Sequence, residues 1–316
     1  MFSPPSSPSS PSSPSGGRTY ELLSPAGVGG MATVWMARMH GQGDFSRTVA
    51  IKRLLPMVAE DDETVRMFAE EARVTSELNH PNIVQVYDFV RDEAGRGLIV
   101  MEWVDGLDLG RLIRAHARTG RMIPWPLVTA IGIELLRGLG AAHRRVDAHG
   151  NRAAVIHRDI TPANVLLSAS GAIKLTDFGM SRAMDRATIT APGTLKGKMP
   201  YMAPEYLGVG EASERTDLWS VGAVLFEAFT LEPLRNETAP TKIFGMASRQ
   251  APSVHETRDD VPERLSEIIA EVLSVNPAAR PESARELVVA LSAVLREYDG
   301  PADEVPLAEL VRAARD

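Results

Sequence analysis

The spacing of apolar residues changes character once along this chain, and that change limits the folds open to it. Between residues 20 and 104 the apolar positions fall in short extended runs, 20–23, 33–38, 48–53, 83–90 and 97–104, broken by turns rich in Gly. One helix interrupts them. Residues 63–78 carry Val65, Phe68, Ala72 and Leu78 at near-helical spacing. His80-Pro81-Asn82 stops that helix, because the residue ahead of a proline is pushed out of the α region. From Asp105 onward the pattern predicts helices over 107–118, 126–145, 214–230, 238–248, 262–273 and 281–297. A β-rich portion followed by an α-rich one predicts an α+β chain of two lobes, 18–104 and 105–297, with 298–316 as a C-terminal extension. The seam near residues 104–106 is a favoured place for a ligand.

Residues 1–17, MFSPPSSPSSPSSPSGG, stand apart from this pattern. Repeated Pro denies them helix and ladder hydrogen bonds, so a solvated, disordered tail is expected, with Ser-Pro phosphorylation or docking as the alternative. The tail has no basic and apolar regions of a signal peptide. No uncharged apolar run approaches ~18 residues, so no membrane span is expected. The nearest candidate, 127–142, is interrupted by Glu134 and Arg137 and reads as a buried amphipathic helix. A net charge of -7 argues against a nucleic-acid partner. The absence of cysteine excludes disulfides, Cys-bound metals and a thiol nucleophile, and fits a reducing, cytoplasmic setting. Of 34 basic residues only Lys52, Lys174, Lys196, Lys198 and Lys242 are lysines, so each lysine position is worth locating.

Several segments carry residue types suited to phosphate and proton chemistry. Gly27-Val28-Gly29-Gly30-Met31-Ala32-Thr33-Val34 lies between two strands. Such a run is either a plain hairpin turn or a loop whose N–H groups cradle phosphate oxygens, free of Cβ clashes. Lys52 ends the strand Val49-Ala50-Ile51-Lys52, where a lysine is either solvated or paired; Glu70 and Glu71 on the following helix are the candidate partners. In His157-Arg158-Asp159-Ile160-Thr161-Pro162-Ala163-Asn164 one loop holds a carboxylate that can take a hydroxyl proton and an amide oxygen that can ligate a metal. Asp177-Phe178-Gly179 adds a second oxygen ligand after strand 172–176. Oxygen-only ligands suit Mg²⁺ and do not suit zinc.

In order, Gly27-x-Gly29, Val-Ala-Ile-Lys52, His-Arg-Asp159 with Asn164, Asp177-Phe-Gly and Ala203-Pro204-Glu205 resemble the protein-kinase signature set. Asp217-Leu-Trp-Ser-Val-Gly222 and Arg280 extend the resemblance over roughly 18–297. With its Gly-Gly-Met run, the chain looks most like a bacterial, eukaryotic-like serine/threonine protein kinase. The resemblance implies the two-lobed kinase fold, with a small β-rich lobe carrying one main helix and a larger helical lobe. It implies transfer of the γ-phosphoryl of Mg-ATP (Mn²⁺ being admissible) to Ser or Thr hydroxyls of proteins, and autophosphorylation of the activation segment. Gly27, Val28, Gly29 and Gly30 would then cover the ATP phosphates. Lys52 would hold the α/β-phosphates and pair with Glu71, which stands nine residues before the His of His-Pro-Asn. Asp159 would orient and deprotonate the acceptor hydroxyl, and Asn164 and Asp177 would hold Mg²⁺. Met101 falls at the gatekeeper position, Glu102 and Val104 would offer backbone to adenine, and Val34, Ala50 and Leu166 would sandwich it. Asp108 would meet the ribose. Glu205 and Arg280 would form a buried structural ion pair.

The departures from the family pattern are informative. Ala32 replaces a third loop glycine, which is tolerable at negative φ. Ala26, preceded by Pro25, stands where a larger apolar residue is usual, and Thr75, one turn after Glu71, is polar where the family is apolar. Ser/Thr kinases usually carry Lys two residues after the catalytic Asp, where this chain has Thr161. They usually carry Thr three residues before the Tyr of the Tyr-Met-Ala-Pro-Glu run, where this chain has Lys198. The two residues are exchanged, so Lys198 is expected to bring in from the activation segment the charge normally fixed in the catalytic loop. Arg158 is of the kind that meets an activation-segment phosphate, with Thr188, Thr190 and Thr194 as candidate acceptors. The spacing from His143 to His157 is long and suggests a hairpin insert at 146–154, with His149 at the surface. The main alternative is a pseudokinase that binds nucleotide or partners without turnover. A small-molecule phosphotransferase fits the Ala-Pro-Glu segment less well, and a tyrosine-specific kinase is disfavoured because the catalytic loop here lacks the Ala-Ala-Arg or Arg-Ala-Ala run such enzymes show. With no sensor sequence in 316 residues, input is expected through the tail, a partner or a homodimer.

Overall fold

The computed structural model describes residues 18–178, 198–207, 211–235 and 250–315. The tail 1–17, the helix predicted over 238–248, and Thr188, Thr190 and Thr194 lie outside the described residues. The chain divides into two compact units. The first comprises the described residues up to Glu77 together with Gln85–Trp103, and the second comprises Leu78–Val84 with everything from Val104 onward.

The first unit is a five-stranded antiparallel sheet in the order β1-β2-β3-β5-β4, built from β1 (Thr19–Val28), β2 (Ala32–His40), β3 (Ser46–Leu54), β4 (Val86–Arg91) and β5 (Gly97–Glu102). Alternation along the strands brings Tyr20, Ala37, Met39, Val49, Ile51, Leu98 and Val100 into one cluster. β1 and β2 run longer than their apolar runs suggest, so Gly27 and Val28 belong to β1 and only residues 29–31 turn. β1 also shifts register around Ser24–Pro25, which accommodates a proline that cannot donate to the ladder. Helix α1 (Asp62–Ser76) starts at Asp61, whose carboxylate accepts the Thr64 N–H. It packs on β4 and β5 through Phe68, whose ring meets Phe89 edge-on at 6.1 Å.

The second unit pairs a small sheet, β6 (Gly106–Asp108), β7 (Val165–Ser168) and β8 (Ile173–Leu175), with the helices. These are α2 (Leu109–Thr119), α3 (Trp125–His143), α4 (Pro204–Leu207), α5 (Glu214–Thr230), α6 (Val254–Thr257), α7 (Glu263–Val272), α8 (Ala284–Arg296) and α9 (Glu304–Arg315). α3 and α5 are buried on nearly every face and form the centre of this unit. Among the described residues no helix is long and apolar enough to cross a membrane.

Two expectations need correction, and one region carries an element that was not anticipated. Residues 83–84 do not open a strand of the first sheet. Asn82 Nδ2 donates to Ile173 O, Val84 N–H to Leu175 O, and Leu175 N–H returns to Asn82 O, all at 2.9 Å, so this segment joins β8 in the second unit. Gly138 of α3 makes room for it, since a Cβ there would lie 2.7 Å from Asn82 O. The predicted helix 107–118 starts only at Leu109, because 106–108 pair with β7 and Asp108 then caps α2 by accepting the Arg111 N–H at 2.9 Å. Lastly, the region 298–316 contains a helix, α9, that the apolar spacing did not announce. It buries Leu307, Ala308 and Val311 and packs on β6, α2 and β7. Arg315 pairs with Asp105 at 2.9 Å, and Arg312 Nε donates to Ala169 O at 3.1 Å. The 146–154 segment closes through a bridge between Val146 and Arg152, with Asp147 Oδ1 accepting the N–H groups of His149 and Asn151, and Arg152 pairs with Glu214.

Candidate active site

In the first unit Lys52 sits on β3, opposite Val34 of β2 and Ile99 of β5. A lysine in a central strand cannot reach water, and its Nζ lies 2.8 Å from Glu71 Oε1, both side chains being 6% exposed. Glu70, about 100° around α1, is exposed and bonds Arg73 instead, at 2.7 and 2.8 Å. Burial therefore selects Glu71 between the two candidates. Thr75, one turn later, is also buried. The glycine turn is closed by Gly29 N–H donating to Ala32 O at 2.8 Å. Neither Gly27 nor Gly29 has a positive φ, and a Cβ added at Gly27 would meet nothing within 4 Å. The protein's own packing therefore does not require glycine at Gly27. Ala32 is a buried β2 residue with ordinary φ, as its methyl requires. Ala50 faces Met101 across the β3–β5 ladder, Val49 faces Glu102, and the Glu102 N–H donates to Gln85 O at 2.8 Å.

In the second unit Asp108 lies opposite Leu166 of β7, and besides capping α2 it pairs with Arg111 at 3.3 Å and Arg114 at 3.8 Å. The loop after the 146–154 insert holds the remaining site residues. Arg158 and Asp177 both adopt the left-handed region, with φ of 66° and 63°. Non-glycine residues rarely sit there, and the conformation persists only where the surroundings hold it. For Arg158 the holder is Asp217, buried on α5. Its Oδ1 accepts the Arg158 N–H, and its Oδ2 accepts the His157 N–H and His143 Nε2, each at 2.8 Å. His157 ties the loop to the segment before Asp177. Its Nε2 donates to Thr176 O at 2.9 Å, its Nδ1 accepts the Asp159 N–H at 3.2 Å, and its ring stacks at a tilt on Phe178 at 4.6 Å.

These contacts hold Asp159, whose side chain is 7% exposed. Asn164 Nδ2 donates to Asp159 O at 2.7 Å and reaches its Oδ2 at 3.2 Å. Lys198 Nζ lies 2.7 Å from the same Oδ2. Thr161, buried two residues after Asp159, accepts the Asn164 N–H on its carbonyl at 3.0 Å. The Thr176 N–H donates to Asn164 O at 3.0 Å, which brings the Asn164 and Asp177 backbones to neighbouring points. With Nδ2 spent on Asp159, Asn164 offers Oδ1 to a cation, and Asp177 offers a carboxylate. Two protein oxygens suit Mg²⁺, which keeps waters and takes phosphate oxygens. Among the described residues no cluster of three or more His, Asp or Glu could hold a metal ion.

Glu205 and Arg280 form a bidentate pair at 2.7 and 2.8 Å, with the guanidinium stacked 4.9 Å from the Trp219 ring centroid. Burial pushes the Glu205 carboxyl up, but bonds from Arg280, the backbone and Thr216 outweigh it and hold the group below the usual carboxylate range. Tyr201 O–H donates to Glu227 Oε2 at 2.6 Å; burial raises both groups. The residues that sequence reasoning left without a role are His143, His157 and the side chain of Asp217. All three are buried polar groups in otherwise apolar helices or beside the key loop, which was the available signal.

The protein kinase domain model matches residues 20–290. The chain is 34% identical over 294 residues to the tyrosine-protein kinase MasK of Myxococcus xanthus, covering 93% of this chain and 45% of that protein. It is 34% identical over 269 residues to the serine/threonine-protein kinase PrkC of Bacillus subtilis, covering 85% of this chain and 39% of that protein. It thus spans less than half the length of these curated relatives. The crystal structure of the Mycobacterium tuberculosis PknI kinase domain superposes with a TM-score of 0.66 at 28% identity, over 88% of this chain and 96% of that one. The fold, the ordered motifs and these relatives together establish that the chain belongs to the protein kinase family, alongside bacterial eukaryotic-like kinases.

Proposed function

We propose that this chain transfers the γ-phosphoryl of ATP to Ser or Thr hydroxyls of proteins, including its own activation segment. The observation that supports this best is Asp159, a buried carboxylate held in a backbone-locked loop and linked through Asn164 to the Asp177 segment. In this reading Lys52, oriented by Glu71, binds the α/β-phosphates beneath Gly27, Val28, Gly29 and Gly30. The open space beside Gly27 is where backbone meets phosphate. Val34, Ala50 and Leu166 enclose adenine next to Met101, the backbones of Glu102 and Val104 bond it, and Asp108 meets the ribose. Asp159 accepts the hydroxyl proton as the hydroxyl oxygen bonds the γ-phosphorus and the bridging oxygen leaves on ADP with its electron pair. Asn164 and Asp177 hold Mg²⁺, which neutralises charge on the phosphate oxygens. ATP supply and a cysteine-free sequence fit a cytoplasmic site of action.

The acceptor is taken as Ser or Thr because PrkC and further relatives are named for it. MasK is named a tyrosine-protein kinase, so tyrosine is the second reading. The test is incubation of the purified chain with γ-labelled ATP, Mg²⁺ and a generic protein substrate, followed by phosphoamino-acid analysis, with Asp177→Ala as control. Label on Ser or Thr that the control lacks supports the proposal. Label on Tyr alone replaces the acceptor, and nucleotide binding without label leaves a pseudokinase.

A further inference from the structure

We propose that Lys198 is the phosphoryl-facing cation of this site, carried by the segment ahead of Ala203-Pro204-Glu205, while Thr161 fills the catalytic-loop position in its stead. The inference rests on the kinase reading above and adds to it a specific source of charge. Among the described residues both side-chain contacts of Asp159 fall on Oδ2, from Lys198 at 2.7 Å and Asn164 at 3.2 Å. Oδ1 is then the oxygen that meets the acceptor hydroxyl. Lys198 is 25% exposed against 7% for Asp159, so the ammonium sits at the mouth of the buried carboxylate.

Its base is firm. Lys198 O accepts the Tyr201 N–H at 3.0 Å, opening the tight turn Met199–Tyr201. Met199 is buried against Leu207 and Met202, and Tyr201 is bonded to Glu227 of α5. A lysine serving only solubility needs none of this anchoring. The described lysines elsewhere have other attachments: Lys52 bonds Glu71, and Lys174 donates to Pro81 O at 2.9 Å.

The chemistry follows from where charge moves. Before transfer the ammonium is held by the ionised carboxylate. As the hydroxyl proton passes to Oδ1, the carboxylate loses its charge. The new negative charge lies on the equatorial oxygens of the transferring group, whose new O–P bond forms while the bridging oxygen departs with its electron pair on ADP. A compact ammonium on a flexible stem can follow that charge over a short arc, which a planar guanidinium does less well.

The test compares wild type, Lys198→Ala, Lys196→Ala, Thr161→Lys and the reciprocal swap Thr161→Lys/Lys198→Thr, in the full chain. Lys198→Ala should lower kcat by at least ~100-fold, the usual cost of removing one preorganised charge partner, while still melting cooperatively as a folded protein. Lys196→Ala, two residues away in the sequence, should leave kcat within about twofold, because the proposal assigns the charge to Lys198 alone. The swap should restore kcat to within ~10-fold of wild type, because charge returns to the same carboxylate from the other segment. Calorimetry with Mg-ATP and Mg-ADP supplies an independent readout: Lys198→Ala should lose preference for ATP while its ADP affinity holds. Equal small losses for Lys196→Ala and Lys198→Ala overturn the proposal, as does a folded swap as inactive as Lys198→Ala. A wild type without transferase activity would sink the kinase reading instead, and the ATP-against-ADP comparison would then test Lys198 alone.

Discussion

Asp217→Asn is the perturbation that separates a scaffold role from a merely conserved-looking buried acid. One carboxylate, 1% exposed, accepts three hydrogen bonds at 2.8 Å, from the Arg158 and His157 N–H groups and from His143 Nε2. Asparagine has the same shape but one accepting oxygen. In the better amide orientation Oδ1 serves His157 and His143, and Nδ2 confronts the Arg158 N–H, donor against donor. One charge-assisted bond is lost, worth ~1.5–3 kcal/mol, and a buried N–H goes unsatisfied at ~1–3 kcal/mol more. The two add to about 2.5–6 kcal/mol, a range that contains the ~3–5 kcal/mol cost of breaking other buried charge contacts. At ~2–4 °C per kcal/mol for a unit of this size, the melting temperature should fall by roughly 10 °C. The left-handed φ of Arg158, which costs ~1–3 kcal/mol to hold, would also relax. Asp159, the next residue, would shift with it, and kcat should drop ~100-fold, as an ångström of misplacement does. Thermal melting, kcat and amide hydrogen exchange at residues 157–158 measure the three effects. A variant within ~1 kcal/mol of wild type, with both amides still protected, would refute the reasoning.

Glu71→Gln should lower stability by ~2–4 kcal/mol and weaken ATP binding, because a buried ammonium loses its carboxylate at 2.8 Å; equal behaviour of Glu70→Gln in melting and nucleotide titration would contradict this. Gly171→Ala places a Cβ 2.1 Å from Glu304 O at a φ of +93°, so it should dislodge α9 and cost ~3 kcal/mol. Deleting 304–315 should cost a similar amount, and combining the two should add little; additive losses in chemical denaturation would mean that Gly171 answers to something else. Glu205 is held below its unfolded value, so its contribution to stability is full above the ordinary carboxylate value of 4.5 and is lost as pH falls through the lower folded value. Arg280→Ala should therefore flatten the acid limb of the stability curve, and an unchanged limb in pH-dependent melting would count against the pair.

The motif residues were legible because their signals are local. Val-Ala-Ile-Lys52 is four consecutive residues of one strand, and Asp159 and Asn164 share one loop. The change of apolar period at Asp105 separated the sheet-rich part from the helix-rich part for the same reason, since period reports secondary structure within a few turns. Boundaries were less legible where a tertiary partner overrode propensity. Residues 83–84 are β-prone, yet their backbone pairs with β8, some 90 positions away, as the Val84 N–H to Leu175 O bond shows. β7 and α9 were missed because a four-residue strand and a short helix with Pro306 in its first turn carry too little period to stand out.

What the sequence determined by itself was the inventory: a glycine-rich turn, a lysine at a strand end, a carboxylate and an amide sharing one loop, and a second carboxylate after a strand, in the order of one family. Only the tertiary structure decided how they are held. The family resemblance already named Glu71; the physical reason that it and not Glu70 meets Lys52 is burial on one face of α1. The left-handed backbone of Arg158 is made affordable by a carboxylate on α5, 59 positions later. The Lys198 contact to Asp159 spans 39 positions. Each depends on an electrostatic partner brought close by packing of a core the intervening residues build, and no local pattern of side chains encodes a distance of that kind.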